Sequence, residues 1–80
     1  MEKSINTDEY KIFIALLREL RVEARLTQAD LAARIGKDQA FVSRYESGAR
    51  RLDVIELREI CGAFEMSLER FVRRLEKALK

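Results

Sequence analysis

The sequence predicts an all-α fold, a compact bundle of five helices, and three observations predict it. Apolar residues recur at three- and four-residue spacing in five segments. Each segment opens on a side chain able to cap a helix N-terminus. The 80 residues include no proline and only three glycines, which suits helices joined by short connections.

The first helix starts in the run from Ile5 to Tyr10. Asn6 as N-cap puts Glu9 at the capping-box position and pairs Ile5 with Tyr10 as a hydrophobic staple. Tyr10, Phe13, Ile14, Leu17, Leu20 and Ala24 then trace one stripe, with Ile12 and Leu16 on a second. Thr27 caps the second helix, with Asp30 three residues on and Leu31, Ala32 and Ile35 on its apolar face. Gly36 stands where a helix C-terminus wants positive φ. Asp38 caps a third helix that turns Val42 and Tyr45 inward, with Ala40 or Phe41 at its flank. Asp53 and Glu56 open a fourth carrying Val54, Leu57, Ile60, Cys61 and Phe64. Ser67 opens the fifth, whose stripe is Leu68, Phe71, Val72, Leu75 and Leu79. Small Ala32 and Gly36 let the second and third helices approach closely, so residues 27–48 form a helix-turn-helix unit.

Composition narrows the function. Eighty residues make one domain, 1–80, near the size where a single core becomes marginal. The longest apolar run, Ile12 to Leu17, is far short of a membrane span. With one cysteine, no disulfide framework and no secretion signal, a cytoplasmic location is expected. A catalytic thiol at Cys61 would want a histidine, and the sequence contains none. Cys61 reads as a small buried hydrophobe. The lone cysteine and scattered carboxylates make no zinc ligand set, and pairs such as Glu19/Glu23 and Glu65/Glu69 read as solvated helix surface. No enzyme, cofactor, metal site or small-molecule ligand is expected.

Net charge is only +2 at neutral pH, but its distribution is uneven. Residues 34–51 carry Arg34, Lys37, Arg44, Arg50 and Arg51 against Asp38 and Glu46. Residues 70–80 carry Arg70, Arg73, Arg74, Lys77 and Lys80 against Glu76 alone. Residues 52–69 hold one arginine and five acids. A basic stripe over the third helix and its exit loop is what attraction to phosphate needs.

The run L-T-Q-x-x-L-A-x-x-I-G from Leu26 to Gly36, followed by Q-x-x-V-S-x-Y-E-x-G from Gln39 to Gly48, resembles the phage-repressor and Cro-like (XRE-type) helix-turn-helix family. With the flanking helices the resemblance extends from about Tyr10 to Phe71. It implies a lambda-repressor-like DNA-binding domain whose third helix reads the major groove. Base-reading residues are then Gln39, Ala40, Ser43 and Arg44. Glutamine suits adenine and arginine suits guanine, while alanine offers only a methyl contact to thymine. Gln28, at the start of the second helix, is expected on a phosphate, together with Lys37, Arg50 and Arg51. Phe41 either touches a sugar or thymine methyl or only covers the motif's edge. The resemblance also implies a partly buried salt bridge between Arg21 and Glu46. Arg25 and Glu65 stand where the family often has glycine, and Leu52 where it often has proline, which bears on loop geometry.

One recognition helix reads only a few base pairs, so a homodimer on a palindromic operator is expected, its two helices roughly 34 Å apart on double-stranded DNA. Ile55, Phe71, Leu75 and Leu79 are the candidate interface. Ile12 and Leu16 either add to it or pack under the last helix. The function expected is transcriptional regulation, as in repressors and restriction–modification controllers. The rivals are an antitoxin-type module, whose protein partner comes first and DNA second, and a scaffold that binds no DNA. A toxin-binding role would usually need an extra tail or an exposed groove, and the sequence given stops within its final helix.

Overall fold

The computed structural model describes residues 7–80, and within them the chain forms five helices and no strand. They are α1 Asp8–Glu23, α2 Gln28–Ile35, α3 Gln39–Glu46, α4 Val54–Ala63 and α5 Leu68–Ala78.

Capping fixes where each begins. The cap of α1 is Thr7, whose hydroxyl accepts from the Tyr10 amide at 3.1 Å, so the helix starts one residue later than Asn6 would have set it. Asn6 and the Ile5 half of the expected staple lie outside the described residues. Thr27 and Asp30 form a complete capping box at 3.0 Å in both directions. Asp53 and Glu56 form another at α4, while Asp38 and Ser67 cap α3 and α5. Each cap satisfies a backbone N–H that has no partner inside its helix.

The ends of α1 and α4 share one device. Arg25 has φ 62° and Glu65 φ 58°, and the amides of Leu26 and Met66 return to the carbonyls of Arg21 and Cys61. Side-chain-bearing residues thus fill the left-handed positions that glycine takes at Gly36 (φ 71°).

The core is shared by all five helices. Leu17, Leu31, Val42, Tyr45, Ile60, Cys61 and Phe71 are fully buried, with Ile14, Leu16, Leu20, Ala32 and Phe41 packed among them. Helix α2 packs on α3 and α4, while α1 packs on α3 and α5. Arg34 at the end of α2 donates to the Ala63 carbonyl of α4, so this member of the basic stripe is tied to the far side of the motif.

Several expectations about apolar positions change. Phe71, offered as an interface residue, is fully enclosed and meets Phe13 edge-on at 5.9 Å, so it belongs to this chain's own core. Leu16 is buried as well, whereas Ile12 stays exposed. Ala24 is the exposed C-cap of α1 rather than the last residue of its stripe. Val54 and Val72 share stripes with core residues yet face outward. Leu75 packs against the core, and Leu79 is half-buried.

Candidate nucleic-acid interface

Eight residues of α3 divide into two faces. Phe41, Val42 and Tyr45 are buried. Gln39, Ala40, Ser43 and Arg44 are all exposed and lie together on the opposite side. That separation follows from the helical period: positions 39 and 43, like 40 and 44, are one turn apart. Every residue expected to read bases is thus on the open face.

Two of the cations expected on phosphates, Lys37 and Arg50, meet over one ring of α3. Phe41 is buried with its ring edge-on to Tyr45 at 5.8 Å. Above the same ring stand the Lys37 ammonium, 5.3 Å from its centroid, and the Arg50 guanidinium, 4.8 Å from it. Phe41 thus packs at the motif's edge and holds two cations over its ring. Sequence reasoning had no signal for this, since Arg50 follows Phe41 by nine residues. The loop brings it back. Gly48 turns the chain at φ 84°, and the amides of Ala49 and Arg50 bond to the Arg44 carbonyl. Arg50 is further clamped on Glu56 through both terminal nitrogens, at 3.0 and 2.8 Å. Its bond to Arg50, with the Asp53 backbone amide, holds the Glu56 carboxyl below the usual range. Arg51 stacks over the Tyr10 ring at 5.0 Å.

Behind α3 lies the expected ion pair. Arg21 Nε donates to Glu46 Oε2 at 2.7 Å and Nη2 to Oε1 at 3.1 Å, both side chains almost wholly buried. The remaining fork nitrogen, Nη1, donates to the Leu26 carbonyl at 2.8 Å, tying the turn between α1 and α2 to the end of α3. The hydrogen bond to Glu46 raises the Arg21 pKa, so the guanidinium stays charged.

Gln28 has partners within the protein. Its amide turns into the protein: Nε2 donates to Glu46 Oε1 at 3.0 Å, and Oε1 accepts from Gln39 Nε2 at 3.4 Å. The side chain assigned to a phosphate therefore links the buried ion pair to the reading face.

Burial pushes the Cys61 thiol up to about 11, as suits a core residue. No cluster of metal-ligating side chains occurs among the described residues, and none of their helices is long and apolar enough to cross a membrane.

Comparison with known proteins places this arrangement. Residues 17–71 match the helix-turn-helix family model HTH_3. Among solved structures, the XRE-family like protein from Pseudomonas syringae pv. tomato str. DC3000 is 40% identical over 86% of this chain and 84% of its own, with a TM-score of 0.81. The wild-type restriction–modification controller protein C.Esp1396I is 27% identical over 98% of this chain and 96% of its own, at TM-score 0.81. Its tetramer in complex with its natural 35-base-pair operator matches at 29% identity over 99% and 100%, at TM-score 0.80. No curated protein matches the sequence significantly. The matched span runs from the middle of α1 into α5 and takes in the whole α2–turn–α3 unit, its caps and the exposed face of α3, and on that ground the chain belongs to the XRE-type helix-turn-helix family of DNA-binding proteins.

Proposed function

We propose that this protein is a sequence-specific transcriptional regulator that binds double-stranded DNA as a homodimer, laying α3 of each copy in the major groove of a palindromic operator. The observation that carries this reading is the open face of α3, with Gln39, Ala40, Ser43 and Arg44 exposed and with Lys37 and Arg50 held over the Phe41 ring of the same helix. Gln39 reads adenine, Arg44 reads guanine through O6 and N7, and the Ala40 methyl faces a thymine methyl. Lys37, Arg50 and Arg51 neutralise phosphates and set the register, and the α2 N-terminus beside Gln28 lies against the backbone.

The operator-bound tetramer of the similar controller protein supports both DNA binding and assembly of more than one copy. Ile55 is 63% exposed although it sits in a well-capped helix, and with Leu75 and Leu79 it forms the two-fold contact. A regulator of this kind acts by occupying its site and needs no cofactor.

Selection from random duplexes followed by a gel shift tests the reading. The selected site should be two-fold symmetric, with half-sites about one helical turn apart. Binding should weaken steeply with salt, and Arg44→Ala should relax the preference at one base position by about 1–3 kcal/mol. Absence of binding to any selected duplex, or indifference to both Gln39→Ala and Arg44→Ala, would sink the proposal.

A further inference from the structure

We infer that Glu56, in the first turn of α4, is a positioning residue for DNA binding: it grips one end of the Arg50 guanidinium so that the other edge stands ready for a phosphate. The inference rests on the proposed role of α3 and adds a determinant whose own charge repels DNA.

A guanidinium carries five N–H donors in one rigid plane. In Arg50 three of them are engaged among the described residues. Nη1 donates to Glu56 Oε1 at 3.0 Å and to the Arg51 carbonyl at 2.9 Å, while Nη2 donates to Glu56 Oε2 at 2.8 Å. The carboxylate therefore takes the end of the fork. The two donors left, one on Nε and one on the outer side of Nη2, lie parallel along a single edge. Such an edge binds two oxygens of one phosphate. The bonds to Glu56 fix it without consuming it.

Other contacts restrict the group further. The guanidinium carbon stands 4.8 Å from the centroid of the Phe41 ring, a side chain of α3. The Arg50 amide bonds to the Arg44 carbonyl at 3.2 Å, which ties the loop to a residue proposed to read bases. Glu56 is itself held in the α4 capping box: its Oε1 accepts from the Asp53 amide at 3.0 Å, and its own amide donates to Asp53 Oδ1 at 2.7 Å. One arginine is thus fixed relative to α3 and α4 together.

A carboxylate bound to a phosphate-seeking arginine can act with either sign. As a competitor it holds the arginine back and weakens binding. As a support it removes the cost of ordering a long side chain on association, about 2- to 10-fold in affinity. The geometry points to support, because the edge that suits phosphate is the one left without a partner. Arginine is also the more exposed member, at 39% against 17% for Glu56.

Glu56→Asp separates the two. It keeps the charge, and it keeps the capping box, since Asp30 closes the equivalent box on Thr27 at 3.0 Å in both directions. The carboxylate is drawn back by one methylene from an arginine that cannot follow without leaving the Phe41 ring and the Arg51 carbonyl. Fluorescence anisotropy on the selected duplex, over a range of salt, gives the readout. Glu56→Asp should weaken binding about 2- to 10-fold at every salt concentration. The salt slope should stay at the parent's value, because the phosphate contact still forms. In an Arg50→Ala background, whose slope is already shallower by about one ion, the same change should have no effect. A defect in the fold would lower affinity in both backgrounds.

Should Glu56→Asp fail to fold, Arg50→Lys carries the test, since lysine supplies the charge without the fork. It should keep the parent's salt slope and still lose about 2- to 10-fold in affinity. Equal or tighter binding by folded Glu56→Asp, the same loss in the Arg50→Ala background, or parental affinity in Arg50→Lys each overturns the positioning role and leaves the regulator standing. Failure of the parent to bind any duplex overturns both.

Discussion

Two bidentate arginine–glutamate pairs occur among the described residues, and they are nearly equal in length. Arg21–Glu46 closes at 2.7 Å and Arg50–Glu56 at 2.8 Å, each with two nitrogens on two oxygens. Their surroundings differ. The side chains of the first pair are 10% and 5% exposed, those of the second 39% and 17%. The first is shared with Gln28 and the Leu26 carbonyl and joins three helical elements. The second ties the loop after α3 to Glu56, itself a member of the α4 capping box, and shares its arginine with an aromatic ring. Distance alone therefore ranks neither pair. What differs is the cost of leaving one member behind: a buried charge without its partner has no water to turn to, whereas an exposed one does.

The largest effect expected follows directly. Glu46→Ala strands the Arg21 guanidinium in the core and should cost about 3–5 kcal/mol of folding stability, as broken buried pairs do. For a domain whose total is about 5–15 kcal/mol, that is a large fraction. Urea denaturation should show a much lower midpoint, and binding should be lost through unfolding before recognition is touched. A midpoint equal to the parent's would break the comparison at its first member.

Arg50→Ala should do the reverse. Its urea midpoint should stay close to the parent's, because water replaces the lost partner of Glu56. DNA affinity should fall on every duplex alike, and the slope of binding against salt should become shallower by about one ion. Equal denaturation losses for Arg50→Ala and Glu46→Ala would show that burial does not separate the two pairs.

Acid sharpens the contrast further. The Glu56 carboxyl is depressed by its bond to Arg50 and by the Asp53 amide, and the Asp30 carboxyl by the backbone and hydroxyl of Thr27. A carboxyl whose pKa is lower in the folded state stabilises that state fully above its unfolded value, about 4.3 for glutamate and 3.9 for aspartate. The contribution is lost as pH falls through the folded value. Stability should therefore be flat on this account from neutrality to about pH 5 and decline below. Glu56→Gln should start slightly lower and decline less steeply, which urea midpoints across pH 3–6 would reveal. A parallel decline in parent and variant would remove the exposed pair from the acid response.

How much of this was legible in the sequence depends on the range of each interaction. Caps act over three residues, so Thr27 with Asp30, Asp53 with Glu56, Asp38 and Ser67 could all be read locally. At α1 the same logic pointed to Asn6, one residue before the Thr7 cap, because local signals do not choose between neighbouring side chains that can both cap. The face of α3 was legible because period alone separates Val42 and Tyr45 from Gln39 and Arg44. Phe71 was not, because a helical stripe shows which residues share a face and not whether this chain or a second copy covers it. Nor was the Gln28 amide, whose partners lie 18 and 11 residues away and meet it only once α2 and α3 have packed. The resemblance to known repressors supplied the Arg21–Glu46 pair, which spacing alone would not have given.

The smallest effect expected concerns the neighbour of the buried pair. Tyr45 adjoins Glu46 in sequence, is fully enclosed, and its hydroxyl has no hydrogen-bond partner among the described residues. Burial raises its pKa well above the usual phenol value, so it stays neutral at any pH the fold survives. A hydroxyl bonded into the Arg21–Glu46–Gln28 network would make Tyr45→Phe costly, since its loss would leave a partner unsatisfied. An unpartnered hydroxyl carries only its own desolvation cost, and deleting it removes that cost while the ring keeps its contact with Phe41. Tyr45→Phe should therefore leave stability unchanged or raise it, by up to about 1 kcal/mol. A loss of that size instead would mean that the polar network behind α3 reaches one side chain deeper than its hydrogen bonds indicate, and the buried pair's cost would then have to be divided among more groups than Arg21, Glu46 and Gln28.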